Sequence, residues 1–105
     1  AEQELGMPVE FLHYAKEMAR SHQEKWDGTG YPDGLAGTEI PLSARVVALV
    51  ATYEALRSRR PHRPPLSHAQ AVRLIVHDMP GHFDPGLVTA FASVASRFDQ
   101  IHQGL

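Results

Sequence analysis

The sequence has no cysteine among its 105 residues. That excludes disulfide staples, thiolate zinc sites and thiol nucleophiles, and it suits a reducing compartment. No apolar run approaches the roughly 20 residues that cross a bilayer, so no membrane span is expected. No charge sign dominates. Ten Lys and Arg face twelve Asp and Glu, a formal net charge of −2, and such a balance argues against a nucleic-acid partner. A secretory leader is not expected either: the first ten residues carry three glutamates and no basic group. The expectation is a cytoplasmic chain whose Ala1 is an internal or trimmed start. What is present is 43% apolar residues, enough for a folded domain, and a length suited to one domain over residues 1–105. Seven histidines are the surplus, and they invite a metal reading position by position.

Periodicity predicts four helices and no strand. Phe11, Leu12, Ala15, Met18, Ala19 and His22 recur at three- and four-residue steps, which predicts a first helix from about Pro8 to His22 with His22 on its buried side. Pro8 suits the first helical position, and Met7 before it is restrained from helix. A second helix from about Ser43 to Arg57, N-capped by Ser43, is apolar nearly all round and so is expected to be covered on several sides. Leu42 is a candidate staple onto it. Ser67-His68-Ala69-Gln70 reads as a capping box opening a third helix that buries Ala69, Val72, Ile75, Val76 and Met79, and Pro80-Gly81 stops it. Asp84-Pro85 opens a fourth, with Leu87, Phe91, Val94, Phe98 and Ile101 on its stripe, flanked by Val88, Ala95 and His102. The fold class expected is an all-α bundle of about four helices.

Between the first two helices lies the stretch densest in chemistry, His22–Pro32 (HQEKWDGTGYP), closed by Asp33-Gly34. His22, Glu24 and Asp27 form one possible metal node, since a hydrolytic site needs converging imidazoles and carboxylates. A further ligand would come from the second helix, where only Glu54 has a suitable donor. The competing reading is structural. Asp27 caps its own turn, Gly28 and Gly30 permit positive φ, and Trp26 packs over the first helix. Arg57 to Pro65 (RSRRPHRPP) is a basic connector, read either as solvated loop or as an anion site of guanidinium forks. His68, His77, His82 and His102 read as surface, cap or loop residues. The His77-Asp78 pair reads as incidental.

These residues resemble a known family. His22–Leu35 is similar to the HHE-x-x-DG-x-GYP motif of HD-GYP domains. Ile40-Pro41-Leu42 with Ala44-Arg45-Val46-Val47-Ala48, then Ala55-Leu56, Arg60-Pro61-His62-Arg63-Pro64, Leu66-Ser67-His68 and His82-Phe83-Asp84-Pro85, resemble the segments that follow it in that family. The resemblance covers nearly the whole chain in order. It implies the C-terminal half of an HD-domain-like, all-α fold. It implies bacterial phosphodiesterases that cleave cyclic di-GMP at a di- or tri-iron or manganese centre. Arg60 and Arg63 match basic positions that contact nucleotide phosphates. Glu24, Asp27, Gly28, Gly30, Tyr31 and Pro32 match the motif loop, whose exposed GYP tip the family is thought to use for protein partners.

The departures from the family pattern set the functional expectation. The second of two adjacent histidines is Gln23, whose neutral amide oxygen is a poor replacement for imidazole at iron or manganese. A ligating aspartate of the second helix aligns with Ala51, and the following aspartate with Glu54. The aspartate before Arg60 is Arg59, and the tyrosine of the RPYR turn is His62. The family's HD dipeptide and other ligands fall upstream of this sequence. His22 is thus a residual ligand, no catalytic residue is assigned, and no cofactor is expected in this chain. The module is expected to be degenerate, without phosphodiesterase activity, and to serve regulation or protein contact in cyclic-di-GMP signalling. The alternatives are an enzyme completed by an N-terminal HD half, or a nucleotide-binding module that does not cleave. Half a domain also leaves the second and fourth helices short of cover, so a homodimer is expected.

Overall fold

The computed structural model describes residues 9–104, leaving aside the side chains of Phe98 and residues 102–104. Five helical stretches follow one another: α1 Val9–Ser21, a 3₁₀ turn Gly37–Glu39, α2 Leu42–Arg57, α3 His68–Arg73 running into a π-helical turn Leu74–Asp78, and α4 Pro85–Gly104. Among the described residues there is no strand, only isolated bridges pairing Asp27 with Ala36 and Arg60 with Arg63. The class is all-α, as the periodicity predicts. The chain divides into two compact units, Ala1–Ala48 and Leu49–Leu105, with the boundary inside α2. No helix among the described residues is long and apolar enough to cross a membrane.

In the first unit, α1 carries Glu10 in its first turn and Arg20 in its last, each where the helix dipole favours its charge. The expectations at Met7 and Pro8 lie outside the described residues. The predicted buried stripe is narrower than drawn. Leu12, Ala15 and Met18 are half-buried, whereas Phe11 and Ala19 are exposed. His22 falls one residue beyond the helix and is half-buried, its backbone N–H still reaching the Met18 carbonyl at 3.1 Å. The start of α2 also differs from expectation. Ser43 lies inside the helix, where its hydroxyl donates to Glu17 Oε2 at 2.9 Å and is unavailable as a cap. The Pro41 carbonyl accepts the first helical bond, from the Arg45 N–H at 3.0 Å. Leu42, the expected staple, is exposed; Ile40 and Ala44 are the buried residues there.

In the second unit the core is Leu49, Tyr53, Ala71, Ile75, Phe83 and Phe91, with Leu56, Val72, Met79, Leu87 and Val88 against it. Leu49 and Tyr53 stand four apart on α2, so one stripe of this helix is buried. Ala51 faces solvent, and Val46 is exposed too, so α2 is not covered all round as its composition suggests. The capping box forms: Gln70 N–H donates to Ser67 Oγ at 3.2 Å, and Ser67 N–H donates to Gln70 Oε1 at 3.0 Å. Ala71 and Ile75, again four apart, reach the core from α3 and its π turn, while Ala69 is exposed. The N-cap of α4 is as expected, with Asp84 Oδ1 accepting the Gly86 N–H at 2.8 Å and Pro85 opening the helix. Phe91 and Ala95 bury its inner face; Val94 and Ile101 are exposed. The expected places of Phe98 and His102 on this stripe fall outside the described side chains.

Candidate functional site

The loop of residues 22–35 is built by its own polar groups. Glu24, only 3% exposed, is the hub. Its Oε2 accepts the Asp33 N–H at 2.8 Å and its Oε1 accepts the Leu35 N–H at 2.9 Å. A carboxylate that takes two backbone donors pins residues nine and eleven positions downstream. Asp27 Oδ1 accepts from both the N–H and the hydroxyl of Thr29, at 3.0 and 2.6 Å, a local cap of its own turn. Arg20 at the end of α1 grips both oxygens of Asp33, at 3.0 and 2.8 Å. That bidentate pair, and the coulombic pull of Asp33, raise the guanidinium above its ordinary value. Gly28 takes φ 85°, a left-handed conformation natural only to glycine. Tyr31 and Pro32 are joined by a cis peptide at the tip, and the Tyr31 ring is 63% exposed. Trp26 is half-buried, its carbonyl accepting the Gly37 N–H at 2.9 Å.

His22 occupies a defined tautomer. Its Nδ1 stands 2.9 Å from the Met18 carbonyl, which can only accept, so Nδ1 carries the proton and Nε2 keeps a lone pair. The Gln23 amide nitrogen, 3.3 Å away, donates into that lone pair. Among the described residues no three His, Asp or Glu side chains gather as a metal-binding group. An open groove of about 640 Å³, lined by Lys16, Ala19, Arg20, Gln23, Tyr31 and Pro32, runs between the end of α1 and the loop tip.

The basic connector sorts into working and free arginines. Arg57 Nη1 donates to Asp99 Oδ1 at 2.7 Å and to the Tyr53 hydroxyl at 2.6 Å. Arg63 turns back to the end of α2, its guanidinium donating to the carbonyls of Ala55 at 3.1 Å, Leu56 at 3.4 Å and Pro64 at 3.1 Å. Ala55 and Leu56 belong to the last turn of α2, whose carbonyls lack intrahelical partners and also accept the backbone N–H groups of Ser58 and Leu66; Pro64 lies in the connector. Arg60 is exposed, and its backbone pairs with Arg63 in a tight turn (Arg60 N–H to Arg63 O 3.1 Å, Arg63 N–H to Arg60 O 3.2 Å). Arg59 and His62 are exposed as well. Of the two arginines expected at a nucleotide phosphate, Arg63 is half-buried against the end of α2 and Arg60 is exposed. Ala51 and Glu54 lie on α2, Ala51 exposed and Glu54 half-buried.

Two predictions arise here. Glu24→Gln keeps one acceptor oxygen but turns an amide NH₂ toward a backbone N–H, so stability falls by about 2 kcal/mol. Amide exchange at Asp33 and Leu35 should accelerate together, and unchanged exchange at either would refute the hub role. Arg63→Ala uncaps α2 and costs about 1 kcal/mol by urea denaturation. If Arg63 serves the helix end alone, calorimetry should show the same cyclic di-GMP affinity, or absence of it, before and after the change.

The sequence reading names Asp33 only as part of the closing turn and has no role for Arg20, Tyr53 or Asp99. Arg20 and Asp33 are separated by thirteen positions and Arg57 and Asp99 by forty-two. Neither spacing has a periodic signature, so only the opposite charges were available as a signal.

The family described as HD domain matches residues 2–87. The chain belongs to the HD domain family, and its motif run identifies the HD-GYP branch. Among curated relatives, a Vibrio cholerae protein named cyclic di-GMP phosphodiesterase is 50% identical over 98 residues, 93% of this chain and 20% of that protein. A second from the same organism, named probable cyclic di-GMP phosphodiesterase, is 45% identical over 103 residues, 98% of this chain and 23% of its own length. A third, named 3'3'-cGAMP-specific phosphodiesterase 2, is 39% identical over 77 residues, 73% of this chain and 15% of that protein. The chain spans between about a seventh and a quarter of the length of these relatives.

Proposed function

We propose that this chain is a degenerate HD-GYP module of cyclic-di-GMP signalling that does not hydrolyse the nucleotide and acts by regulation and protein contact. The relatives' names support the signalling class. The observation that carries the loss of hydrolysis is the donor set. The family implies an iron or manganese centre, and the residues present do not fit one. The Nε2 lone pair of His22 faces the Gln23 amide, at the position where the family sets a second imidazole. Ala51 offers a methyl where the family has a carboxylate. The carboxylates of Glu24 and Asp27 already accept loop donors. Weak neutral oxygen donors do not replace two lost anionic or imidazole ligands at such a metal.

The test is turnover of cyclic di-GMP by the full polypeptide that carries this chain, purified and supplied with Mn(II) or Fe(II). The expected result is no hydrolysis above a metal-only control. Metal-dependent cleavage would establish instead the enzyme completed by an HD half elsewhere in the polypeptide. Binding without cleavage is the second reading, favoured by exposed Arg60 beside exposed Arg59. Calorimetry with cyclic di-GMP on wild type and Arg60→Ala decides it: heat lost in the variant supports a retained phosphate contact, and no heat in either removes it.

The exposed Tyr31 and Pro32 are the proposed partner contact, an aromatic tip of the kind that anchors interfaces. A homodimer is part of the same proposal. Val94 and Ile101 on α4 are exposed apolar side chains, and such faces tend to find cover. Sedimentation velocity showing only monomer across the micromolar range would remove the dimer.

A further inference from the structure

We infer that the loop of residues 22–35 holds its shape without a cation, so that the Tyr31–Pro32 tip is displayed constitutively and is not gated by metal. The inference rests on where each cation-competent group already points. His22 gives its Nδ1 proton to the Met18 carbonyl at 2.9 Å, and its Nε2 lone pair receives the Gln23 amide at 3.3 Å. Gln23 therefore stands where a cation would otherwise take that lone pair. Both oxygens of Glu24 hold backbone donors, from Asp33 and Leu35. Asp27 holds Thr29, and both oxygens of Asp33 hold the Arg20 fork. Among the described residues no buried side-chain nitrogen or oxygen lacks a partner.

The backbone is tied independently of these side chains. Gly28 N–H reaches the Lys25 carbonyl at 2.9 Å, and Tyr31 N–H reaches the Gln23 carbonyl at 3.3 Å. A loop organised by a cation behaves otherwise. Its ligands repel one another or stay unsatisfied until the ion arrives, and the binding energy becomes folding energy. In this loop the ligands are replaced by hydrogen bonds formed within the chain, and removing an ion releases nothing that the loop depends on. The inference goes beyond the non-hydrolytic reading and does not require it. A protein that hydrolysed cyclic di-GMP could still have a metal-independent loop, and an inactive one could still have a metal-ordered loop.

The experiment is amide hydrogen exchange by mass spectrometry on the full polypeptide, over peptides covering residues 23–35. It compares EDTA-treated protein with the same protein given Mn(II), Fe(II) or Zn(II). A parallel nitrogen-15 spectrum of the His22 ring is recorded with and without stoichiometric Zn(II). Protection at Tyr31, Asp33 and Leu35 is expected to agree within twofold in every condition, with Nδ1 of His22 protonated and Nε2 unmoved by zinc. A metal-dependent rise in protection beyond twofold, or a zinc-induced shift of Nε2, overturns the inference. The turnover assay reports separately on hydrolysis, so each idea can fail alone.

Discussion

Gly30→Ala lowers the stability of the first unit by about 3 kcal/mol, an overpacking penalty at the upper end of the usual range. The melting temperature is expected to fall by roughly 10–20 °C in a domain of this size. The cause is contact and not backbone dihedral freedom. A Cβ at Gly30 would sit 2.4 Å from the Gln23 carbonyl oxygen, 2.5 Å from the Lys25 nitrogen and 2.6 Å from the Glu24 Cα. All three are backbone atoms of the segment that carries the Glu24 hub, so nothing flexible can yield. Relief requires moving the loop tip away from residues 23–25, which breaks the Tyr31 N–H bond to Gln23 and strains both Glu24 bonds. Gly37→Ala is the control. It meets nothing within 4 Å at φ 57°, so only the left-handed backbone penalty of about 1 kcal/mol applies. Thermal unfolding followed by circular dichroism compares the two. Equal losses would mean that close backbone approach at Gly30 does not hold the loop.

Tyr53→Ala costs the second unit about 4 kcal/mol, the range for deleting a buried aromatic ring. Tyr53 is 0% exposed, packs edge-to-face on Phe91 at 5.6 Å between centroids, and lies under the Arg57 guanidinium. Its hydroxyl ties three elements. Arg57 can only donate to it, at 2.6 Å, so the phenol proton goes to His68 Nδ1 at 2.9 Å, and Arg57 continues to Asp99 on α4. Tyr53→Phe keeps the ring and removes the link, and leaves Arg57 with one partner fewer; about 1.5 kcal/mol is expected. Urea denaturation should rank wild type, Phe and Ala in that order, and a Phe variant as stable as wild type would remove the link from the account.

The same phenol makes a pH prediction. Burial pushes Tyr53 above its ordinary value, against the opposing hydrogen bond from Arg57. An acid whose folded pKa exceeds its unfolded one keeps its full contribution below the unfolded value, about 10 for tyrosine. That contribution is then lost as pH rises through the folded value. Alkaline destabilisation of the wild type should therefore be steeper above about pH 10 than that of Tyr53→Phe.

Much of this was written in short-range signals. Ser67 with Gln70, and Asp84 with Pro85, announce helix starts because a cap needs only neighbours within three residues. The loop of residues 22–35 stands out by its composition alone. Contacts between distant residues leave no such signal. Ser43 has the chemistry of a cap, but Glu17, twenty-six positions away, takes its hydroxyl. Arg63, expected at a nucleotide phosphate, also donates to the last carbonyls of α2, a contact that no short-range pattern announces. The valines and alanines of α2 carry no mark of which side will be covered, and Ala51 and Val46 lie on an exposed side of a helix that is apolar nearly all round. The π turn after α3 has no signature in hydrophobic period.

By itself, the sequence determined that the chain is helical, where α3 and α4 begin, and that it is an HD domain of the GYP-bearing kind whose second imidazole is a glutamine. Those properties depend on residue type and on spacings of a few positions. The tertiary structure alone decided which donor meets which acceptor: Glu24 with residues 33 and 35, Arg57 with Asp99, Gln23 with the oriented face of His22. A hydrogen bond needs two atoms near 3 Å apart in a set direction. The fold sets that geometry, and composition and periodicity carry no record of it.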